Sequence, residues 1–270
     1  DALQVAEAED PSVQVEHNAA LNEVVLLGLG ELHLATVLQQ IEDRYSLDLV
    51  TSLPSIAYRE TITAKAEGHH RHKKQTGGAG QFGEVYLRIE PLPQGGGFEF
   101  ASAVVGGSIP SQFIPAVENG VRQAMTEGAI LGYPMQDIKV TVYDGKHHNV
   151  DSKEIAFVQA GKKAFLDAVS KARPIVMEPI VDAEFSVPSD CVGGVTGDLS
   201  GMRGMITGTD ALPDNRALVS GKVPLQELQG YHSRLKSLSG GDGSFTMDFS
   251  HYAEIPANEL KQIQAEAEEA

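Results

Sequence analysis

The last third of the chain carries the pattern that most restricts its fold: six elements in one fixed order. Residues 180–187 read as a strand, a helix lies near 190–200, and strands follow at 204–209 and 216–223. A second helix lies near 225–237 and a last strand at 244–250. Strand, helix, strand, strand, helix, strand is the split βαβ arrangement of ferredoxin-like domains, whose antiparallel sheet buries one face under two helices. The segment NELKQIQAEAEEA then closes the chain as a short acidic helix.

A small α+β unit is predicted at the other end. ALQVAEAE at 2–9 reads as a helix too short to be an intact element, stopped by Asp10-Pro11, which suggests a piece of a longer protein. Strand-like stretches follow at 12–17 and 22–27. Leu34, Leu38 and Ile41 then fall at helical spacing within 30–45, and a further strand pattern covers 56–63.

Between these ends, KAEGHHRHKKQTGGAGQFGE interrupts all periodicity and predicts a long mobile loop. Strands at 84–90 and 98–104, a helix near 114–127 and a strand at 137–143 come next. The stretch YDGKHHNVDSKE at 143–154 then reads as a strand-to-helix turn. Asp151 suits an N-cap, Glu154 lies three residues on, and Val150 with Ile155 fits a hydrophobic staple. A helix from Ser152 to about Ala172 would follow, ended by Arg173-Pro174, leaving Gly145 to Asn149 displayed on the turn.

A chain of 270 residues allows one to three domains, and 41% hydrophobic residues describe a globular protein. No apolar run approaches the ~18 residues that span a bilayer, and no cleavable signal stands at Asp1. The single cysteine, Cys191, excludes a disulfide framework and a multi-cysteine zinc site, and the expectation is a cytosolic setting. The net charge of −16 argues against nucleic acid, but its distribution does not. Residues 66–178 balance 12 basic against 12 acidic residues and hold five of the nine histidines, whereas each flank is net −8. If any part meets a polyanion, it is the middle.

Several short motifs fail on context. Gly78 to Val85 satisfies G-x-G-x-x-G and its kinase extension, yet a basic loop precedes it, a strand follows, and no V-A-I-K, H-R-D or D-F-G accompanies it. The run His69 to Lys74 would repel a cation, so phosphate contact is its functional reading. Residues 193–208 are glycine-rich but contain no phosphate-binding G-x-x-x-x-G-K-[ST]. Asp198 to Gly201 matches D-x-x-G alone. His147, His148 and Asp151 could bind a metal in a stand-alone enzyme, do acid/base work, or contact something anionic.

Longer stretches are far more specific. EDPSVQV at 9–15, GLGELHL at 28–34, AYRETIT at 57–63, TGGAGQFGEVY at 76–86, GGSIPSQFIPAVENGV at 106–121, HNVDSKEIAF at 148–157, GDLSGMRGM at 197–205 and VPLQELQGY at 223–231 together resemble the C-terminal half of bacterial elongation factor G, a translational GTPase. The resemblance implies an α+β, multi-domain chain in which two ferredoxin-like domains flank an elongated βα domain of the ribosomal protein S5 domain 2-like type. Residues 1–64 would be the third domain without its first strand, 65–178 the fourth, 179–253 the fifth, and 254–270 a C-terminal helix packing on the fourth.

It further implies a monomeric, cytoplasmic ribosome ligand promoting movement of tRNA and mRNA, with no membrane partner, no catalytic residue and no metal site. GTP and Mg²⁺ would be bound by an N-terminal domain, and no cofactor by these residues. The RNA-facing tip would comprise Lys146, His147, His148 and Asn149 with Gly77, Gly78, Gly80 and Gln81. Arg71, Lys73 and Lys74 form a basic loop, and Arg203 is the fifth domain's ribosome contact. A ribosomal protection protein and a paralogue acting in ribosome recycling are the neighbouring alternatives. Ala79 stands where the family commonly has arginine, Gly201-Met202 where it usually has two arginines, and Glu84 where histidine is frequent. The expectation is that each change strips positive charge or hydrogen bonding from an RNA-facing surface.

Overall fold

A computed structural model describes residues 2–18, 23–75 and 80–269, with backbone only for 31 and 266–269. The chain forms two compact units, one from residues 1–57 with 179–251, the other from 58–178 with 252–270. In chain order, the first unit opens with α1 (Ala2–Glu9), β1 (Gln14–Asn18), β2 (Glu23–Leu27) and α2 (Glu31–Tyr45). β1 and β2 pair antiparallel, Gln14 opposite Leu27. Val13, Val37 and Ile41 are buried together against Leu3, Ala6 and Leu26. The Asp10 carboxylate ties α1 to α2, accepting from the Ser12 N–H and hydroxyl and lying 2.9 Å from His33 Nε2. Those bonds, the Ser12 hydroxyl foremost, lower its pKa to about 2.

The second unit holds β3 (Arg59–Ile62), β4 (Ala66–Lys74), β5 (Gln81–Pro91), β6 (Phe98–Ser102), α3 (Ile114–Glu127), β7 (Ile138–Lys146) and α4 (Glu154–Lys171). Its sheet runs β4-β5-β7-β6, with β6 parallel to β7 and the other neighbours antiparallel. Val85, Leu87 and Ile89 of β5 and Ile138, Val140 and Val142 of β7 alternate into a buried core with Val117, Val121, Phe157 and Phe165 of α3 and α4. A Cβ on Gly68 would lie 2.0 Å from the Ala164 carbonyl, and one on Gly120 2.1 Å from that of Val158. Glycine is therefore what lets β4 and α3 approach α4 so closely.

β3 belongs with this unit, not with the first domain to which the sequence reading assigned it. It pairs antiparallel with residues 174–177, Arg59 opposite Met177. Its Glu60 carboxylate is fully buried. One oxygen accepts from Ala129 N (2.5 Å) and Ile130 N (2.9 Å), the other from Leu131 N (2.8 Å) and Tyr133 N (3.2 Å). Partners so far along the chain leave no local signal.

The expected mobile loop is corrected more sharply. Residues 66–74 form a strand paired with β5 from Ala66↔Ile89 to Lys74↔Gln81. His69, Arg71 and Lys73 alternate with Gly68, His70 and His72, and the ladder is carried by main-chain bonds and cross-strand pairs. His69 stacks on Tyr86 at 4.1 Å and the Arg71 guanidinium lies 5.2 Å from the Phe82 ring centre. Polar residues on both faces erase the periodicity by which a strand is read.

The chain then continues as β8 (Pro174–Pro188), α5 (Val192–Gly201), β9 (Met205–Leu212), β10 (Arg216–Pro224), α6 (Leu225–Leu228), α7 (Tyr231–Leu238), β11 (Ser244–Glu254) and α8 (Ala257–Glu269). The strand order β11-β8-β10-β9 is the fourth-first-third-second order of the ferredoxin-like fold. Phe185, Leu199, Val219 and Leu235 are fully buried in its core. The expected second helix is broken into α6 and α7 at Gly230, whose φ of 73° suits glycine. Asp198, the D-x-x-G aspartate, is a structural anchor: it accepts from the Tyr231 hydroxyl and the Arg234 guanidinium. Burial, then the Asp198 charge, raises the Tyr231 pKa to about 12. In the second unit, Ile255 N donates to the Val176 carbonyl at 3.1 Å and Ile263 of α8 is buried. No helix among the described residues is long and apolar enough to cross a membrane.

Candidate nucleic-acid interface

The start of β5 and the end of β7 lie side by side, Glu84 opposite Lys146 and Val85 opposite Gly145. β7 runs three residues beyond its predicted end and carries Lys146 to the rim of the sheet. A Cβ at Gly145 would sit 2.3 Å from the Glu84 carbonyl, so only glycine permits this pairing. Beyond Lys146 the chain turns through residues 147–153 into α4.

Here the predicted cap is corrected. The N-cap of α4 is Lys153, in extended backbone with no side-chain cap bond, and Glu154 is the first helical residue. Glu154 contributes instead as an acidic group in the first turn, where the helix dipole favours it. Val150 is 77% exposed, so no staple forms. Asp151 faces the other way. Its carbonyl accepts from Phe82 N at 2.9 Å, and a Cβ on Gly80 would meet its carboxylate at 2.6 Å. Tertiary contact with Gly80 and the start of β5 displaces the local capping preference.

The turn is held by named bonds. Ser152 N donates to the His148 carbonyl at 3.0 Å, and the Ser152 hydroxyl accepts from His148 N at 2.8 Å and donates to the Phe82 carbonyl at 2.9 Å. His148 Nδ1 accepts from Val150 N (3.3 Å) and Asp151 N (3.2 Å), with Asp151 Oδ2 3.4 Å away. His147 Nδ1 lies 3.2 Å from the Ser108 carbonyl. The two rings are thus engaged with different partners, and among the described residues no three His, Cys, Asp or Glu side chains form a group able to hold a metal. The three-residue metal reading of His147, His148 and Asp151 finds no geometry to support it.

Lys146, His147, His148, Asn149, Gly80 and Gln81 come together at this end of the unit, with Gln81 Oε1 3.0 Å from His72 Nε2. Arg71, Lys73 and Lys74 lie on the strand leading to it rather than on a loop. Gly77, Gly78 and Ala79 lie outside the described residues. Ser152, Phe82 and Ser108 were missed by sequence reasoning; nothing in a lone serine announces a bond to a strand far earlier in the chain.

Glu84 is not displayed at all, contrary to expectation. It is 5% exposed, and its Oε1 accepts from His69 Nε2 (2.9 Å) and the Tyr86 hydroxyl (3.2 Å). Burial raises its pKa, but those bonds and the Lys146 charge outweigh it and hold the carboxyl below its usual range. Met202 likewise packs against a buried core, whereas a side chain at Gly201 would meet open space. Arg203 pairs with Glu227 at 2.9 Å.

A helix-backed sheet ending in a polar, cation-bearing turn, in one chain with a ferredoxin-like sheet, defines an α+β, multi-domain protein. Three family models match in sequence order: elongation factor G domain III over residues 1–52, domain IV over 54–173, and the elongation factor G C-terminus over 175–263. Elongation factor G of Aquifex pyrophilus is 44% identical over 255 residues, covering 94% of this chain and 36% of the relative. A crystal structure of a Thermus thermophilus protein superposes with a TM-score of 0.87 at 39% identity, over all of this chain and 40% of the other. The chain belongs to the elongation factor G family and spans little more than a third of the curated relative's length.

Proposed function

We propose that this chain is the ribosome-engaging part of a translational GTPase of elongation factor G type, whose tip enters the decoding region beside the tRNA–mRNA duplex. What carries the reading is the succession of three domain matches in family order, with the polar turn placed at one end of the unit that the domain IV match covers. Lys146, Arg71, Lys73 and Lys74 supply charge for phosphates, while His147, His148, Asn149 and Gln81 supply hydrogen bonds for 2′-hydroxyls and base edges. The net charge of −16 discourages non-specific adhesion to RNA elsewhere. Arg203, oriented by Glu227, would meet the large subunit. GTP and Mg²⁺ would be bound by a separate domain of the longer protein, and these residues would act as a lever, occupying the space that tRNA leaves and blocking its return. The setting is then cytoplasmic and the factor monomeric.

The test is sedimentation of the chain with purified bacterial ribosomes, followed by translocation and GTP hydrolysis in the complete factor carrying His148→Ala. Slowed translocation with persistent hydrolysis is expected. Absence of ribosome binding by the chain would overturn the proposal. Hydrolysis without translocation in the wild-type factor would move it to recycling or ribosome protection.

A further inference from the structure

The protonation pattern of the two tip histidines is written in their partners. A neutral imidazole has one N–H and one lone pair. At His148 the Nδ1 atom faces two backbone N–H donors, from Val150 and Asp151, so it offers its lone pair and the proton resides on Nε2. At His147 the Nδ1 atom faces the Ser108 carbonyl, which can only accept, so Nδ1 carries the proton and Nε2 the lone pair. In their neutral forms the neighbouring histidines are therefore favoured in opposite tautomers by these partners. Asp151 Oδ2 lies 3.4 Å from His148 Nδ1, farther than either backbone N–H donor.

The His148 geometry depends on one hydroxyl. Ser152 Oγ takes the His148 N–H and gives its proton to the Phe82 carbonyl, while Phe82 N donates to the Asp151 carbonyl. These bonds close the 148–152 turn on itself and tie its 151–152 end to β5. They thereby aim the Val150 and Asp151 N–H groups at the imidazole.

We infer that Ser152 is the positioning residue of the tip, fixing the His148 ring so that Nδ1 is turned to the backbone of its own turn and Nε2–H is offered to an acceptor oxygen of RNA. The His148 side chain is 55% exposed, so that donor reaches solvent. A phosphate oxygen or a ribose 2′-oxygen satisfies it. His147 offers the reverse, a lone pair, which suits a 2′-hydroxyl or an amino edge and repels a phosphate. The RNA half of this inference rests on the ribosome reading above; the tautomers do not.

The experiment is long-range ¹H–¹⁵N correlation spectroscopy on the full chain labelled with ¹⁵N-histidine, with signals assigned through His147→Gln and His148→Gln. Opposite tautomers are expected, with His148 protonated on Nε2. Ser152→Ala should mix the His148 tautomers and leave His147 unchanged, and Ser152→Thr, which keeps the hydroxyl, should restore the pattern. Ribosome affinity should fall roughly three- to ten-fold in Ser152→Ala, the scale of one hydrogen bond, and recover in Ser152→Thr. An Nδ1-protonated His148 in the wild type, or equal loss in both Ser152 variants, overturns the inference. Failure of the wild type to bind ribosomes with the tautomers as expected would instead remove the ribosome reading.

Discussion

Replacing Glu60 by glutamine, an isosteric change remote from the tip, should destabilise the second unit severely. Each oxygen of the buried carboxylate accepts two backbone N–H groups of residues 129–133. A glutamine amide keeps one oxygen and turns the other into a donor, which then faces two N–H donors. An orphaned buried N–H costs about 1–3 kcal/mol, and neighbouring losses do not add fully, so Glu60→Gln should cost about 3 kcal/mol. With a urea slope of about 2 kcal/mol/M, the transition carrying the second unit moves down by about 1.5 M. Far-UV circular dichroism reads that midpoint, and hydrogen exchange at Ala129, Ile130, Leu131 and Tyr133 should show protection lost at one pair of amides. A shift below about 0.3 M with all four amides protected would refute the reasoning, because the carboxylate would then not be their acceptor.

Two further outcomes follow from other sites. The Asp10 carboxyl, held near 2 against an ordinary 3.8, contributes stability that is present above about pH 4 and lost as the pH falls toward 2. The difference between wild type and Asp10→Asn in acid-unfolding curves should therefore close across that window, and a pH-independent difference would count against the Ser12 and His33 bonds. Gly201→Arg, at the last residue of α5 with open space around it, should fold with unchanged or slightly higher stability, by about 0.5 kcal/mol, since arginine is the better helix former and sits at the favourable end of the dipole. If that surface meets RNA, the salt slope of ribosome binding should steepen by about one; an unchanged slope would remove it from the interface.

Some of this protein was determined by sequence alone. The strand–helix order of the last third, helix α3, helix α4 apart from its first turn, and the position of the tip turn were all legible. Their signals are local: apolar spacing within one element, a proline or glycine at its end, and long family-specific stretches such as HNVDSKEIAF. Tertiary structure decided the rest, wherever the partner is distant or the residue type uninformative. His69 to Lys74 became a strand because β5 offered a ladder, not because of any alternation in hydrophobicity. Asp151 left its capping role because Gly80 and Phe82 come up against it, and the Glu84 carboxylate folded inward onto His69 and Tyr86 instead of facing outward. β3 joined the second unit through a carboxylate whose four donors lie far downstream, between Ala129 and Tyr133. Propensity and capping are worth about 1 kcal/mol per site, whereas leaving one partner of a buried charged network unpaired costs about 3–5 kcal/mol. Where the two disagreed in this chain, the long-range term won.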